Sequence, residues 1–109
     1  MIKLLSSLLI KMNSIDPIIL KEKINNKVDL ILIDVREPWE HALYNIGGLS
    51  IPMNTVFNNL DKIPTDKPVI IYCQKGIRSG LVIQRLQQKF HYNNLINLTG
   101  GMDGWAKVL

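Results

Sequence analysis

The chain has 109 residues, 47% hydrophobic and 20% charged, which fits one ordinary globular domain and excludes a disordered chain. Its single cysteine excludes an internal disulfide and a zinc site built from several thiolates, and is typical of a reducing compartment such as the cytoplasm. Thirteen Lys and Arg against nine Asp and Glu give a net charge of +4, which favours anionic ligands but is too small to indicate a nucleic-acid partner.

The first residues are predicted to precede the domain. We assign residues 1–7 to an N-terminal extension and residues 8–109 to a single domain. The apolar stretch near the start is interrupted by Lys11 and is too short to cross a bilayer, and no small-residue cleavage site follows it. The sequence therefore predicts neither a membrane association nor a secretion signal.

The rest of the chain alternates short apolar runs with helix-like segments. The predicted strands are Leu8–Met12, Leu30–Ile33, Leu49–Ile51, Val69–Tyr72 and Leu95–Leu98. The predicted helices are one with Ser14 as N-cap and Pro17 in its first turn, one over Glu37–Leu43, one capped by Asn54 and running through Leu60, one ending near Phe90, and a short one around Trp105. This alternation predicts an α/β domain with a largely parallel sheet and helices on both faces.

The segment from Val69 to Ser79 is the strongest candidate for a functional site in this sequence. Cys73 follows directly on a buried strand, and ligands of open parallel sheets bind beyond the C-terminal ends of the strands. The loop after it can turn backbone N–H groups toward an anion, Gly76 permits a positive φ, and Lys75 and Arg78 supply positive charge. Because such surroundings lower the pKa of a thiol, we expect Cys73 to be a thiolate.

The same cysteine has a plainer interpretation. A cysteine at the end of an apolar strand is often a small buried hydrophobe, which would require the sulfur to point into the core. The glycine, the two cations and the helix start directly after Cys73 favour the reactive thiol instead. Since the nucleophilicity of a thiol falls together with its pKa, the loop should chiefly bind an anionic donor and stabilise an anionic sulfur intermediate.

Four motifs, in this order, resemble those of single-domain rhodaneses, the thiosulfate sulfurtransferase-like family. They are Leu32-Ile-Asp-Val-Arg-Glu37, Ile46-Gly-Gly-Leu-Ser-Ile-Pro52, the segment Val69 to Ser79, and Leu98-Thr-Gly-Gly-Met-Asp-Gly-Trp105. The resemblance implies a rhodanese-like three-layer fold, a five-stranded mostly parallel sheet with helices on both faces. One departure is Tyr44-Asn-Ile46, where the family commonly has Gly-His-Ile; we expect Asn45 to replace the hydrogen bond of that histidine.

The resemblance also implies a reaction. Cys73 would take the outer sulfur of thiosulfate or of a persulfide donor, hold it as a persulfide, and pass it to cyanide, a small thiol or a protein thiol. Backbone N–H groups would surround that persulfide from a loop formed by Gln74, Lys75, Gly76, Ile77, Arg78 and Ser79. Lys75 would attract the donor at the mouth, and Arg78 would orient the donor or brace the loop. No cofactor and no metal are implied.

Other polar and aromatic residues of the motifs are given structural roles. Asp34 and Arg36 match the Asp-x-Arg pair of the family, and the simplest role for them is a local ion pair and turn cap that supports the loop. Trp39 is assigned to helix packing and His41 to the surface, because a lone histidine makes no metal site. The segment 100–105 is assigned to turn glycines and a packing tryptophan.

Three alternatives to a thiosulfate sulfurtransferase remain open. A phosphatase or arsenate reductase of the same fold uses Cys-x5-Arg, whereas four residues separate Cys73 from Arg78, and no acid in the loop could protonate a leaving group. A rhodanese-like domain can also be a non-catalytic interaction module, although the cysteine and its loop are intact here. Finally, the protein could relay a persulfide to one specific partner.

Overall fold

A single parallel sheet forms the centre of the protein in the computed structural model, which describes residues 12–108. Its strands are Ser14–Ile15 (β1), Ile31–Asp34 (β2), Leu49–Ser50 (β3), Val69–Tyr72 (β4) and Leu95–Leu98 (β5). The helices are Pro17–Asn25 (α1), Pro38–Leu43 (α2), Ile77–Phe90 (α3) and Gly101–Ala106 (α4), with 3-10 helices at Met53–Asn58 and Leu60–Lys62. The strand order is β1-β5-β4-β2-β3 and every pair is parallel, which confirms the predicted sheet.

The side chains of β4 alternate between two hydrophobic cores, one on each face of the sheet. Val69, Ile71 and Cys73 belong to the core beneath α3, whereas Ile70 and Tyr72 belong to the core that includes residues of α1 and α4. Because both faces are buried, β4 is apolar along its whole length. The predicted three-layer arrangement is therefore confirmed, and the alternation decides that Cys73 lies on the α3 side.

The start of the first helix differs from the prediction. Ser14 is not its N-cap, because Ser14 pairs with Asn97 as part of β1. The cap is Asp16, whose side chain accepts a hydrogen bond from the Ile18 N–H at 2.8 Å directly before Pro17 begins the helix. The predicted strand Leu8–Met12 lies outside the described residues except for Met12, which is not in a strand.

The segment after β3 was also predicted wrongly. Two short 3-10 helices stand where a helix capped by Asn54 is predicted, and the first of them begins after Pro52. The Asn59 N–H bonds to the Val56 carbonyl at 3.0 Å, which is the i to i+3 spacing of a 3-10 turn. The segment is too short to establish a regular α-helix, and the tighter 3-10 turns form there instead.

Helix α3 begins closer to the cysteine than the apolar spacing indicates. Gly76 is its N-cap with φ of +92°, and Ile77 is the first helical residue. Only Gln74 to Gly76 is therefore loop, and Ile77 to Ser79 form the first turn of the helix. In the part of the chain described, the helices all fall short of the length and apolarity needed to cross a membrane.

Candidate active site

Cys73 is almost fully buried, with 1% of its surface exposed. Its side chain packs against the α3-side core, but its sulfur faces the following loop. Sγ accepts hydrogen bonds from the backbone N–H of Gly76 at 3.1 Å and of Ser79 at 3.3 Å. Cys73 is therefore buried, as the plainer interpretation requires, but its sulfur has polar contacts on the loop side instead of purely apolar surroundings.

The loop gives the sulfur an environment suited to negative charge. Of the amides from Gln74 to Ser79, those of Gly76 and Ser79 donate to Sγ, and the second belongs to the first turn of α3. Amide donors at a helix N-terminus stabilise an anion without adding a side chain. The site can accordingly hold a thiolate or a persulfide, which remains a prediction.

Ser79 also contacts the sulfur through its hydroxyl group, with Oγ 3.3 Å from Sγ. The same hydroxyl donates to Oδ1 of Asn97 at 2.6 Å, and Nδ2 of Asn97 donates to the Gly76 carbonyl at 3.1 Å. Asn97 was not identified from the sequence. The available signal was a polar residue inside the otherwise apolar β5, beside Ile71 of β4.

Asp34 and Arg36 form the predicted ion pair and turn cap, and both are buried. Asp34 accepts from the backbone N–H of Arg36 at 2.9 Å and from its Nη2 at 2.8 Å. Arg36 extends further than predicted, because its Nη1 donates to Oε1 of Gln74 at 3.0 Å and its Nη2 to the Tyr44 carbonyl at 2.6 Å. The pair thus ties the end of β2 to the first residue of the loop.

His41 does not lie freely on the surface as predicted. Its Nδ1 is 2.9 Å from Oδ2 of Asp34, so the buried carboxylate has a second cationic or donor partner. Asn45 closes the following turn, donating to the His41 carbonyl at 2.9 Å and accepting from the Gly47 N–H at 2.8 Å. The unusual Tyr44-Asn-Ile46 sequence therefore leaves the turn intact.

Arg78 braces the site. Its guanidinium makes two hydrogen bonds to the carboxylate of Glu40 in α2, at 2.9 and 3.2 Å. These bonds hold the pKa of Glu40 below its ordinary value and raise the pKa of Arg78. Because the guanidinium is engaged, the geometry favours bracing over donor orientation. Lys75 and Ile77, by contrast, are exposed at the mouth.

The segment 100–105 supports the loop directly. The N–H groups of Met102 and Asp103 donate to the carbonyls of Cys73 and Gln74 at 2.9 and 3.0 Å. Gln74 also donates to the Asp103 carboxylate at 2.6 Å. The predicted packing tryptophan, Trp105, is 8% exposed in the core of the opposite face. The glycine-rich motif therefore also holds the backbone at Cys73 and Gln74, a contact that the sequence interpretation did not assign.

A groove of about 430 Å³ lies beside the loop. Its lining includes Arg36 and Gln74 together with Trp39, Leu43 and Tyr44. Trp39 was predicted to pack in a helix interface, but it is 65% exposed. Across residues 12–108, His, Cys, Asp and Glu side chains do not gather in groups of three that could hold a metal ion.

Comparisons with known proteins agree with this architecture. The family model of the rhodanese-like domain matches residues 16–108. A sulfurtransferase of Allochromatium vinosum is 35% identical over 96 residues, covering 87% of this chain and 89% of that protein. The crystal structure of a rhodanese-like domain protein from Staphylococcus aureus superposes with a TM-score of 0.78 at 32% identity, over 86% of this chain and 91% of that one.

The chain belongs to the rhodanese-like domain family, which includes proteins named as sulfurtransferases. Another relative is much larger. The probable adenylyltransferase/sulfurtransferase MoeZ of Mycobacterium tuberculosis is 31% identical over 102 residues, which covers 91% of this chain but 26% of that protein. Domains of this family thus occur both as small proteins and within larger ones.

Proposed function

We propose that the protein is a sulfurtransferase that moves a sulfane sulfur from thiosulfate or a persulfide donor to a thiophilic acceptor through Cys73. The observation that carries this proposal is the direction of the sulfur, which faces the amides of Gly76 and Ser79. Amide donors aimed at one sulfur atom suit an intermediate whose charge lies on sulfur. In this proposal the protein acts in the cytoplasm, needs no cofactor, and binds neither a membrane nor nucleic acid.

The proposed reaction has two displacements at sulfur. The Cys73 thiolate attacks the outer sulfur of thiosulfate, a new S–S bond forms, and the old S–S bond breaks with its electron pair leaving on sulfite. An acceptor such as cyanide, a small thiol or a protein thiol then attacks the outer sulfur of the persulfide, and the electron pair of that S–S bond returns to Cys73. No external oxidant or reductant is needed.

Access to the sulfur requires the mouth of the loop to open. Cys73 is 1% exposed, so neither donor nor acceptor reaches Sγ in the arrangement described above. The exposed side chains of Lys75 and Ile77 lie at this mouth, outside the core, and moving them does not unpack the sheet. We therefore expect a small loop movement during each transfer.

Mass spectrometry tests the proposal. Incubation with thiosulfate, followed by removal of the excess, should add one sulfur atom at Cys73, and cyanide should remove it. The Cys73→Ser variant should take up none while keeping its fold. A protein that accepts sulfur from neither thiosulfate nor a persulfide donor would be an interaction module. Turnover of an aryl phosphate that is lost in Cys73→Ser would identify a phosphatase instead.

A relay to one specific protein is the second candidate. It is supported by the similarity to MoeZ, in which the matched region is a part of a larger sulfurtransferase, and by the groove with exposed Trp39 beside the loop. Transfer rates to cyanide, glutathione and a dithiol protein distinguish the two functions. A relay should strongly prefer its protein acceptor, whereas a general sulfurtransferase should use all three.

Lys75→Ala should raise the apparent KM for thiosulfate several-fold with little change in kcat. One exposed cation at the mouth increases the local concentration of an anionic donor, and it does not touch Sγ in the structure. Steady-state kinetics at low ionic strength measure the effect. Lys23→Ala, an exposed lysine at the end of α1, is the matched control and should leave KM unchanged. A lower kcat at constant KM contradicts the steering role.

A further inference from the structure

Asn97 lies behind the active-site loop and contacts both residues whose amides bind the sulfur. It is bonded to the hydroxyl of Ser79 at 2.6 Å and to the carbonyl of Gly76 at 3.1 Å. Its position is fixed by the sheet, because it pairs with Ile71, two residues before Cys73 in the chain. A side chain from β5 therefore reaches the two residues that also donate to Sγ.

The hydrogen-bond chemistry fixes which atom of Asn97 faces which partner. The Gly76 carbonyl can only accept, so it must face the Nδ2 amino group. Oδ1 then faces Ser79, whose hydroxyl has one proton and gives it to Oδ1. The hydroxyl consequently presents a lone pair to Sγ, 3.3 Å away. That lone pair suits the S–H of a neutral thiol and opposes a sulfur anion.

We propose that Asn97 is a positioning residue that competes with the sulfur for the Ser79 hydroxyl proton. In the thiol state Ser79 donates to Asn97 and accepts from the S–H group. When the sulfur is an anion, the hydroxyl rotates and donates to Sγ, and Oδ1 of Asn97 loses that bond. Asn97 thereby makes the Cys73 anion less stable than it would be with the Ser79 hydroxyl free to donate to Sγ. The proposal concerns the free thiol of Cys73 and its anion, so it goes beyond the proposed function and does not rest on it.

Two substitutions distinguish an effect on the Ser79 hydroxyl proton from a purely structural effect of Asn97. Asn97→Asp strengthens the acceptor for Ser79 and adds negative charge, so the sulfur anion is destabilised. Asn97→Leu removes the acceptor and frees the hydroxyl for Sγ, so the anion is stabilised. A purely structural role of Asn97 would move both variants in one direction, since each loses the bond to Gly76. The proposal predicts opposite directions.

The measurement is the pH dependence of Cys73 alkylation by iodoacetamide in the full chain. Cys73 is the single cysteine, so the label reports one site. At neutral pH we expect alkylation roughly tenfold slower in Asn97→Asp and several-fold faster in Asn97→Leu, with the pH profile shifted accordingly. In a Ser79→Ala background the Asn97→Leu effect should vanish.

The other charged groups near the site stay constant across these variants. They lie on all the neighbouring elements: Asp34 with Arg36 and His41, Glu40 paired with Arg78, Lys75 and Asp103. Asn94→Asp is the matched control, because Asn94 precedes the same strand at its other end and bonds to the carbonyls of Pro64 and Lys67. It should leave the alkylation profile unchanged.

The alkylation experiment tests the role of Asn97 independently of the proposed function. Opposite shifts in the two variants support the competition for the proton, even if thiosulfate adds no sulfur and the proposed function fails. Equal profiles, or shifts in the same direction, overturn it, even if sulfur transfer proceeds. Thermal unfolding of each variant shows whether the fold is retained. If Asn97→Leu does not fold, the comparison of Asn97→Asp with Asn94→Asp tests the proposal instead. Equal alkylation in that pair overturns the proposal.

Discussion

Asp34→Ala is expected to lower the free energy of unfolding by about 3–5 kcal/mol, because it leaves the buried guanidinium of Arg36 without its carboxylate. Asp34 is fully buried and Arg36 is 4% exposed. The variant also removes the partner of His41 Nδ1. The midpoint and the slope of the urea unfolding transition together give the loss of unfolding free energy.

Asp29→Ala provides the matched control for this loss. Asp29 makes an exposed ion pair with Lys67 at 3.4 Å, and exposed pairs of this kind contribute less than about 1 kcal/mol. A loss for Asp34→Ala as small as that of Asp29→Ala would contradict the argument from burial. The loop after Cys73 should also become less ordered in Asp34→Ala, since Arg36 then no longer holds Gln74 in place.

The part of the candidate site that depends on neighbouring residues in the chain could be predicted from the sequence. Cys73 stands at the end of a continuous apolar run and is followed by glycine, two cations and a helix start, all within a few residues. A strand buried on both faces and a tight anion-binding turn each have their own short pattern. The position of Cys73 after β4 and the parallel sheet could therefore be read without the structure.

The partners of Arg78 and Asn97 could not be predicted, because they lie in distant segments of the chain. Arg78 and Glu40 are 38 residues apart, and either could have been a solvated surface charge. Asn97 reaches Ser79 and Gly76 only through the register of β5 against β4. That register is set by the packing of whole strands rather than by any residue near Cys73.

The local errors have physical reasons of their own. Ser14 and Asp16 are both good helix caps, and pairing of Ser14 with β5 decided between them. Trp39 belongs to a helix of six residues, which is too short for its apolar spacing to reveal a buried face. Its exposure beside the groove is therefore information that only the fold provides.

Gly101→Ala is expected to disturb the candidate active site more than any other conservative change in the glycine-rich motif. Gly101 has a φ of +58°, which costs an L-residue about 1–2 kcal/mol. A Cβ at this position would also lie 2.7 Å from the Gln74 carbonyl oxygen, and closer still to that of Cys73. The backbone that carries the sulfur must therefore shift, and we expect the rate of sulfur uptake to fall roughly tenfold to a hundredfold.

Gly80→Ala separates this steric effect from a general intolerance of added methyl groups. Gly80 lies within α3, where a Cβ would find its nearest neighbours at 3.6 Å, an ordinary contact. Alanine is favoured over glycine in a helix by about 0.5–1 kcal/mol, so this variant should be as stable as the parent or more so and should retain sulfur uptake. Thermal unfolding and sulfur uptake are measured together for both variants. Equal uptake in the two would mean that the close approach of Gly101 to the Cys73 carbonyl does not position the sulfur.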